Sequence, residues 1–268
     1  MTINNISALL EQLNCKAGAA ELARQSKSIN CQGMAIEERL MNALDAEIQQ
    51  RAKIRSARLQ KQAKLAYEHI FVQDINYSLM PSLNVNLVDN LSTCNWVRQQ
   101  HNLLLIGPTN TGKTILSCAL AQEAINHNLP VCFYNQASLL LMLMKHYNDK
   151  TITKFIESLN RIPLLIIDDW GNWPLGDKEK FLLSELITCR EGKGSTLITS
   201  QYTTKEWEGC FHNDALANSV LARITNNAIT VTMTSLSRRR RKRQRRSFDD
   251  LTSLLVSSHA GKGAKNGN

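Results

Sequence analysis

Hydrophobic positions along this chain follow two rhythms. Over residues 1–66 they recur at helical spacing, most clearly at Ile36, Leu40, Leu44 and Ile48, with Ala52 continuing the row. That spacing predicts one face of a long helix, with charge on its other sides. From residue 103 onward, short and nearly continuous apolar runs take over, at 103–106, 131–134, 164–167, 196–199 and 228–232. Helical patterns lie between them, as at Ser138–Lys145, Lys178–Cys189 and Ala215–Arg223. Apolar strands alternating with helices predict an α/β fold with a parallel sheet covered on both faces. The connecting stretch holds Asn76, Pro81, Ser82 and Asn84 and reads as loop, followed by a helix over 90–101 with Trp96 and Val97 as its apolar patch. The expected organisation is a small all-helical N-terminal domain over 1–70, an α/β domain over 71–236, and a basic, structureless tail over 237–268.

The first apolar run leads into a loop with specific chemistry. Leu103-Leu104-Leu105-Ile106 is followed by Gly107-Pro108-Thr109-Asn110-Thr111-Gly112-Lys113-Thr114, and then by a helix-like segment from Ile115 to Ala124. Two glycines let the backbone wrap around phosphate oxygens, and the helix that follows aims its positive end at the same point. Lys113 can reach the outer phosphates, and the Thr114 hydroxyl can bind Mg²⁺. The strand–loop–helix order points to a nucleoside triphosphate site.

A second strand, Leu164-Leu165-Ile166-Ile167, delivers Asp168 and Asp169 at its end. A buried strand ending in a carboxylate is how a phosphate-loop fold holds its metal shell, which makes Asp168 the metal candidate. Asp169, one residue on, is placed to polarise an attacking water. The strand 196–199 ends in Thr199, Ser200 and Gln201. If it pairs between the other two, these polar side chains stand near the γ-phosphate.

The net charge of +9 is concentrated in two places. Residues 238–246 hold eight of the 32 Lys and Arg, and without them the balance is 24 basic against 23 acidic. The acid-free block 51–64 adds Arg51, Lys53, Arg55, Arg58, Lys61 and Lys64; removing both blocks leaves 18 against 23. A mildly acidic body with two basic elements implies polyanion contact at defined places, and no base-reading motif accompanies them, so contact with nucleic-acid phosphates would be largely sequence-independent; an acidic partner surface or plain solvation is the alternative for 238–246. Arg240 and Arg241 belong to the second of these elements. Seven scattered cysteines without a C-x-x-C suit reduced thiols rather than disulfides or zinc. No apolar run nears the ~18 residues that span a membrane, and the first residues lack a basic, cleavable leader, so no membrane contact is expected.

Four ordered motifs carry a family resemblance. G-P-x-x-T-G-K-T, L-L-I-I-D-D-x-G, S-T-x-I-T-S-Q followed by Trp207, and the later R-I-x-x-N-A together resemble the IstB-like transposition helper ATPases. These form a branch of the AAA+ proteins close to the DnaC-type helicase loaders. The similarity covers roughly residues 5–240. It implies a five-stranded AAA+ core behind a helical N-terminal domain, with ATP and Mg²⁺ as ligands. It also implies a bacterial cytoplasmic protein that hydrolyses ATP, self-assembles as a homo-oligomer on duplex DNA, and cooperates with a DDE-type, IstA-like transposase; a DnaC-like replicative helicase loader is the alternative. In this resemblance Lys113 and Thr114 take the phosphate-loop roles, Asp168 the metal and Asp169 the catalytic base. Thr199, Ser200 or Gln201 supplies the first sensor, Arg223 an arginine finger toward a neighbouring subunit, and Arg238 or Arg239 the second sensor. Two residues depart from the family pattern: Asn110 stands where Gly is usual, and Ala222 precedes Arg223 where Asp is usual.

Overall fold

The computed structural model describes residues 3–28, 31, 33–210 and 215–234. They divide into two compact units, one ending at Gln62 and one beginning at Ala63. The first break therefore falls ahead of the boundary expected at 70. The basic run 238–246, with Arg238, Arg239, Arg240 and Arg241, lies outside the described residues.

The first unit is helical: α1 (Ile3–Gln12), α2 (Lys16–Lys27) and α3 (Ile36–Ala63), whose last residue belongs to the second unit. The face that α3 turns toward α2 is not the apolar row. Arg39, Ala43 and Glu47, four residues apart, are the buried ones, whereas Ile36, Leu44 and Ile48 are exposed. Small residues explain the choice. At Gly18 a side chain would come within 2.9 Å of the Ala43 carbonyl, so the two backbones approach at a distance no leucine row allows. Polar groups complete this contact. Glu47 accepts the N–H groups of Ala17 and Gly18 at 2.9 and 3.3 Å, capping α2, and Arg39 donates to Gln25 and Ser26.

The second unit holds the sheet. Its strands are β1 (Asn102–Ile106), β2 (Val131–Asn135), β3 (Leu164–Trp170), β4 (Ser195–Ser200) and β5 (Ala228–Thr232). They run parallel in the order β2-β3-β4-β1-β5, so β4 lies between β3 and β1 as the nucleotide reading required. Its helices are α4 (Val85–Ser92), α5 (Asn95–Arg98), α6 (Lys113–Asn126), α7 (Gln136–Asn148), α8 (Ile152–Asn160), α9 (Asp177–Arg190), α10 (Thr204–Cys210) and α11 (Ala215–Thr225). Leu104, Ile106, Leu165, Ile167 and Ile198 join one core with Leu139, Leu143, Leu182, Leu186, Trp207 and Ile224. The alternate residues Leu103, Leu105, Ile166 and Leu197 are equally buried on the side of α6. Period-two burial on both faces is why these strands read as unbroken apolar runs.

The helix expected over 90–101 is two shorter ones. α4 starts early because Asn84 caps it, its side chain accepting the Asn86 N–H at 2.9 Å, and Cys94 then turns left-handed at φ +55° and breaks the helix before α5. Among the described residues no helix is long and apolar enough to cross a membrane.

Candidate nucleotide site

The phosphate loop is fixed by contacts that leave two of its residues no alternative. A side chain at Gly107 would sit 2.0 Å from the Met233 carbonyl, which follows β5, and Met233 N–H itself bonds to the Ile106 carbonyl at 2.6 Å. Gly112 has φ +92°, and a side chain there would meet the Met80 methyl at 2.3 Å. Asn110 is also left-handed, at φ +61°. Asn is the non-glycine residue best suited to that region, so its departure from Gly keeps the loop's shape. The alternation of backbone sense through Asn110 and Gly112 is the geometry that gathers N–H groups into an anion nest. Thr111 closes the loop by donating to the Pro108 carbonyl at 2.9 Å, while Thr109 stays exposed at its rim.

Lys113 opens α6 and is buried. Its ammonium donates to the carbonyls of Gly107 at 2.7 Å and Pro108 at 2.9 Å. Burial lowers its pKa, and the charges of Asp169 and Asp168 work against that shift. Thr114, the next residue, donates to the Asp168 carboxylate, with its hydroxyl 3.1 and 3.0 Å from the two oxygens. The Thr199 hydroxyl donates to the same carboxylate and accepts the Asp169 N–H at 3.1 Å. Burial holds the Asp168 carboxyl above its ordinary range, opposed in part by the Thr199 bond.

Asp169 owes its position to a bulge. Three residue steps on β3 face two on β4 between the Ile167 and Trp170 pairings, and Asp169 takes φ +61° there. The result is that Asp168 stays buried while Asp169 points its carboxylate to solvent beside the loop. Gln136, buried at the start of α7, accepts the Gly171 N–H at 2.7 Å and holds the turn that follows. Sequence reasoning did not find Gln136; a lone Gln after a strand carries no signal.

Of the three polar residues ending β4, Thr199 is the one brought to Asp168. The expectation for Ser200 is corrected: its hydroxyl donates to the Trp170 carbonyl at 2.7 Å and accepts from the indole N–H of Trp207 at 2.9 Å, wholly inside the core. Strand alternation separates the two hydroxyls, and the buried Trp170–Trp207 pair, 5.8 Å between ring centres, takes the second. Gln201 reaches Asn172, in the loop after Asp169.

Arg223 is elsewhere. It lies near the end of α11, and Asn102, the first residue of β1, donates to the carbonyls of Arg223 and Ile224 at 3.4 and 3.0 Å. Arg223 thus stands at the opposite edge of the sheet from the loop at the far end of β1, a strand ~16 Å long.

Among the basic residues of 51–64, Arg51 is held by the fold: its Nε donates to Glu47 at 2.7 Å and another nitrogen to the Asn14 carbonyl at 3.4 Å. That bond keeps the Glu47 carboxyl below the usual range. Lys53, Arg55, Arg58, Lys61 and Lys64 are exposed.

The donor set fits ATP with Mg²⁺. A hydroxyl and a carboxylate, both hard oxygen ligands, converge beside a lysine and an anion nest. A family model described as IstB-like ATP binding protein matches residues 8–246. The chain belongs to the IstB-like ATP-binding family. It is 34% identical over 201 residues to an insertion sequence IS1162 ATP-binding protein of Pseudomonas fluorescens, covering 75% of this chain and 87% of that one. It is 29% identical over 229 residues to an insertion-sequence ATP-binding protein of Sinorhizobium fredii, covering 85% and 92%. In fold it is similar to DnaI, with TM-score 0.53 at 18% identity over 62% of this chain and 92% of that one. A primosome component from Streptococcus pyogenes gives TM-score 0.52 at 20% identity over 68% and 98%. This IstB-like chain therefore has the phosphate-loop α/β fold of its ATP-binding family, and the relatives it resembles are ATP-binding proteins of insertion sequences.

Proposed function

We propose that this IstB-like protein is an ATPase that assembles on duplex DNA when ATP is bound, presents that DNA to a DDE-type transposase, and leaves it after hydrolysis, in the bacterial cytoplasm. The observation that carries the reading is the separation of Arg223 from Lys113. A guanidinium at the opposite edge of the sheet has no route to its own subunit's phosphates, so an arginine finger here acts on a neighbour's. Nucleotide state and assembly are then one equilibrium.

Each residue has a part in that scheme. Lys113 and the loop N–H groups orient the phosphates, and Thr114 and Asp168 would hold the Mg²⁺ that offsets phosphate charge. Asp169, pushed out by the bulge, accepts a proton from the attacking water. Thr199 ties Asp168 to the Asp169 backbone, so movement at one carboxylate is felt at the other. Gln201 and Asn172 stand beside the same edge as the outer polar pair. Arg223 from the next subunit stabilises charge in the transition state, worth ~10³–10⁵ in rate where such a finger acts. Arg239 is the second-sensor position this reading assigns in the arginine run.

Lys53, Arg55, Arg58, Lys61 and Lys64, with Arg240 and Arg241, supply the phosphate contacts to DNA. Arg51 serves the fold first.

Electron microscopy of the protein on duplex DNA tests the scheme, comparing a non-hydrolysable ATP analogue with ADP. Ordered multi-subunit assemblies with the analogue, lost with ADP, are expected. Equal occupancy of DNA in both states, or single subunits in both, overturns it. Pull-down against a transposase and a replicative helicase separates the transposition role from a loader role.

A further inference from the structure

The guanidinium of Arg223 already has partners in its own subunit. Its Nε donates to Glu191 Oε2 at 3.0 Å, and Nη1 donates to the Ser219 carbonyl at 3.1 Å and to the Ser219 hydroxyl. Ser219 lies one turn back on α11, so its contact follows from helix geometry. Glu191 lies 32 residues away, so its contact is made by the fold.

Both mounts are rigid. Glu191 caps the C-terminus of α9 just past Arg190, and Gly192 then takes φ +67° so that Lys193 and Gly194 both return their N–H groups to the Arg190 carbonyl. Arg190, 2% exposed, clamps this turn from inside by donating to the carbonyls of Leu159, Ile162 and Ser195. Across from it, Asn102 fixes the end of α11. Glu191 and Arg223 meet at a cavity of about 250 Å³ that Arg190, Asn102 and Asn226 also line.

The pair is too exposed to serve stability. The side chains are 57% and 30% exposed, and such pairs contribute little to folding. What it does is restrict where the guanidinium points. The pairs Arg24–Glu21, Arg51–Glu47 and Lys180–Asp177 each lie within one helix, whereas this one joins two elements. Ala222, the residue before Arg223, offers no carboxylate of its own.

We infer that Glu191 is a positioning residue for Arg223. It holds the guanidinium against its own subunit until the terminal phosphate of a neighbour's nucleotide replaces the carboxylate as partner. A terminal phosphate carries more charge than a carboxylate and accepts the guanidinium fork equally well, so the exchange runs forward only when a neighbour presents one. Glu191 thereby sets the subunit concentration at which hydrolysis switches on. The inference rests on the reading of Arg223 as a finger toward a neighbour.

The experiment is steady-state ATP hydrolysis by the full chain as a function of protein concentration, for wild type, Glu191→Gln, Glu191→Asp, Arg223→Ala and the double variant Glu191→Gln/Arg223→Ala. Glu191→Gln is expected to reach half-maximal specific activity at a three- to ten-fold lower protein concentration, and Glu191→Asp to stay near wild type. Glu191→Gln alone should keep the wild-type melting temperature, which a merely structural role for Glu191 would not give, and it should leave the residual hydrolysis of Arg223→Ala unchanged. A threshold unmoved by Glu191→Gln while Arg223→Ala is impaired overturns the Glu191 role alone. The same shift in both backgrounds also overturns it. Wild-type activity in Arg223→Ala removes the finger reading and this inference with it.

Discussion

Thr114 and Asp168 are joined by their side chains, the hydroxyl 3.1 and 3.0 Å from the two carboxylate oxygens, across 54 residues of sequence. The contact ties the start of α6 to the end of β3 and buries a carboxylate whose neighbours donate to it. Burial still dominates and holds its pKa above the ordinary value of 3.8. The charge needed for metal binding is therefore kept at a cost to the fold, as functional groups commonly are.

Asp168→Asn separates the two effects. The amide oxygen keeps an acceptor for Thr114 and Thr199 but removes the desolvated charge. Without nucleotide, the variant should melt higher near neutral pH, because the desolvated charge is gone. A raised folded-state pKa means the carboxyl favours folding fully below its unfolded value and loses that contribution as pH rises through the folded one. The gain from Asp168→Asn should accordingly shrink as pH is lowered from neutrality toward the ordinary carboxyl value of 3.8. The stabilisation of wild type by ATP with Mg²⁺ should be absent in the variant. Thermal melts across that pH range, with and without nucleotide, check all three.

Lys113→Ala and Asp169→Asn should part company. The first removes the ammonium beside the loop and should abolish nucleotide binding and DNA assembly together, read by titration calorimetry and anisotropy. The second should leave ATP affinity within a few-fold, slow hydrolysis by roughly 10²–10⁴, and prolong assemblies on DNA. Faster disassembly in Asp169→Asn contradicts its role as base.

Arg190→Leu should be among the most damaging core changes. It removes the guanidinium donor from the carbonyls of Leu159, Ile162 and Ser195, of which Leu159 keeps the Ile162 N–H at 3.1 Å, at roughly 1–3 kcal/mol for each carbonyl left unpaired out of reach of water. Arg190→Lys cannot restore the fork and should recover only part of the loss. Chemical denaturation measures both.

Lys53, Arg55, Arg58 and Lys61 should act on DNA as charges. Replacing Arg55, Arg58 and Lys61 by Ala should weaken binding on every duplex alike and reduce the slope of log affinity against log salt by ~2.7, at ~0.9 per lost phosphate contact. Arg51→Ala should instead lower the melting temperature of the first unit. An unchanged slope in the triple variant places the DNA elsewhere.

The sheet was legible because each strand is buried on both faces and so reads as a continuous apolar run. The loop was legible because Gly107, Gly112, Lys113 and Thr114 follow an apolar strand at the fixed spacing that phosphate binding needs. Two things were not. The apolar row Ile36–Leu44–Ile48 suggested a packed face, yet Gly18 and Ala43 let polar Arg39 and Glu47 take that place. Likewise Thr199 and Ser200 look equivalent as letters, and only the bulge at Asp169 and the burial of Trp207 decide which hydroxyl meets Asp168. Both outcomes depend on partners distant in sequence, where local pattern carries no information.

The central claim is that each nucleotide site is completed by the next subunit's Arg223. Mixing two inactive variants tests it directly. Asp169→Asn binds ATP and joins assemblies but lacks the base, and it keeps its finger; Arg223→Ala keeps the base and lacks the finger. Mixed at equal concentration on duplex DNA, they should recover a substantial fraction of wild-type ATP hydrolysis, since some sites pair an intact base with an intact finger. A mixture no more active than the sum of its parts contradicts completion of the site between subunits.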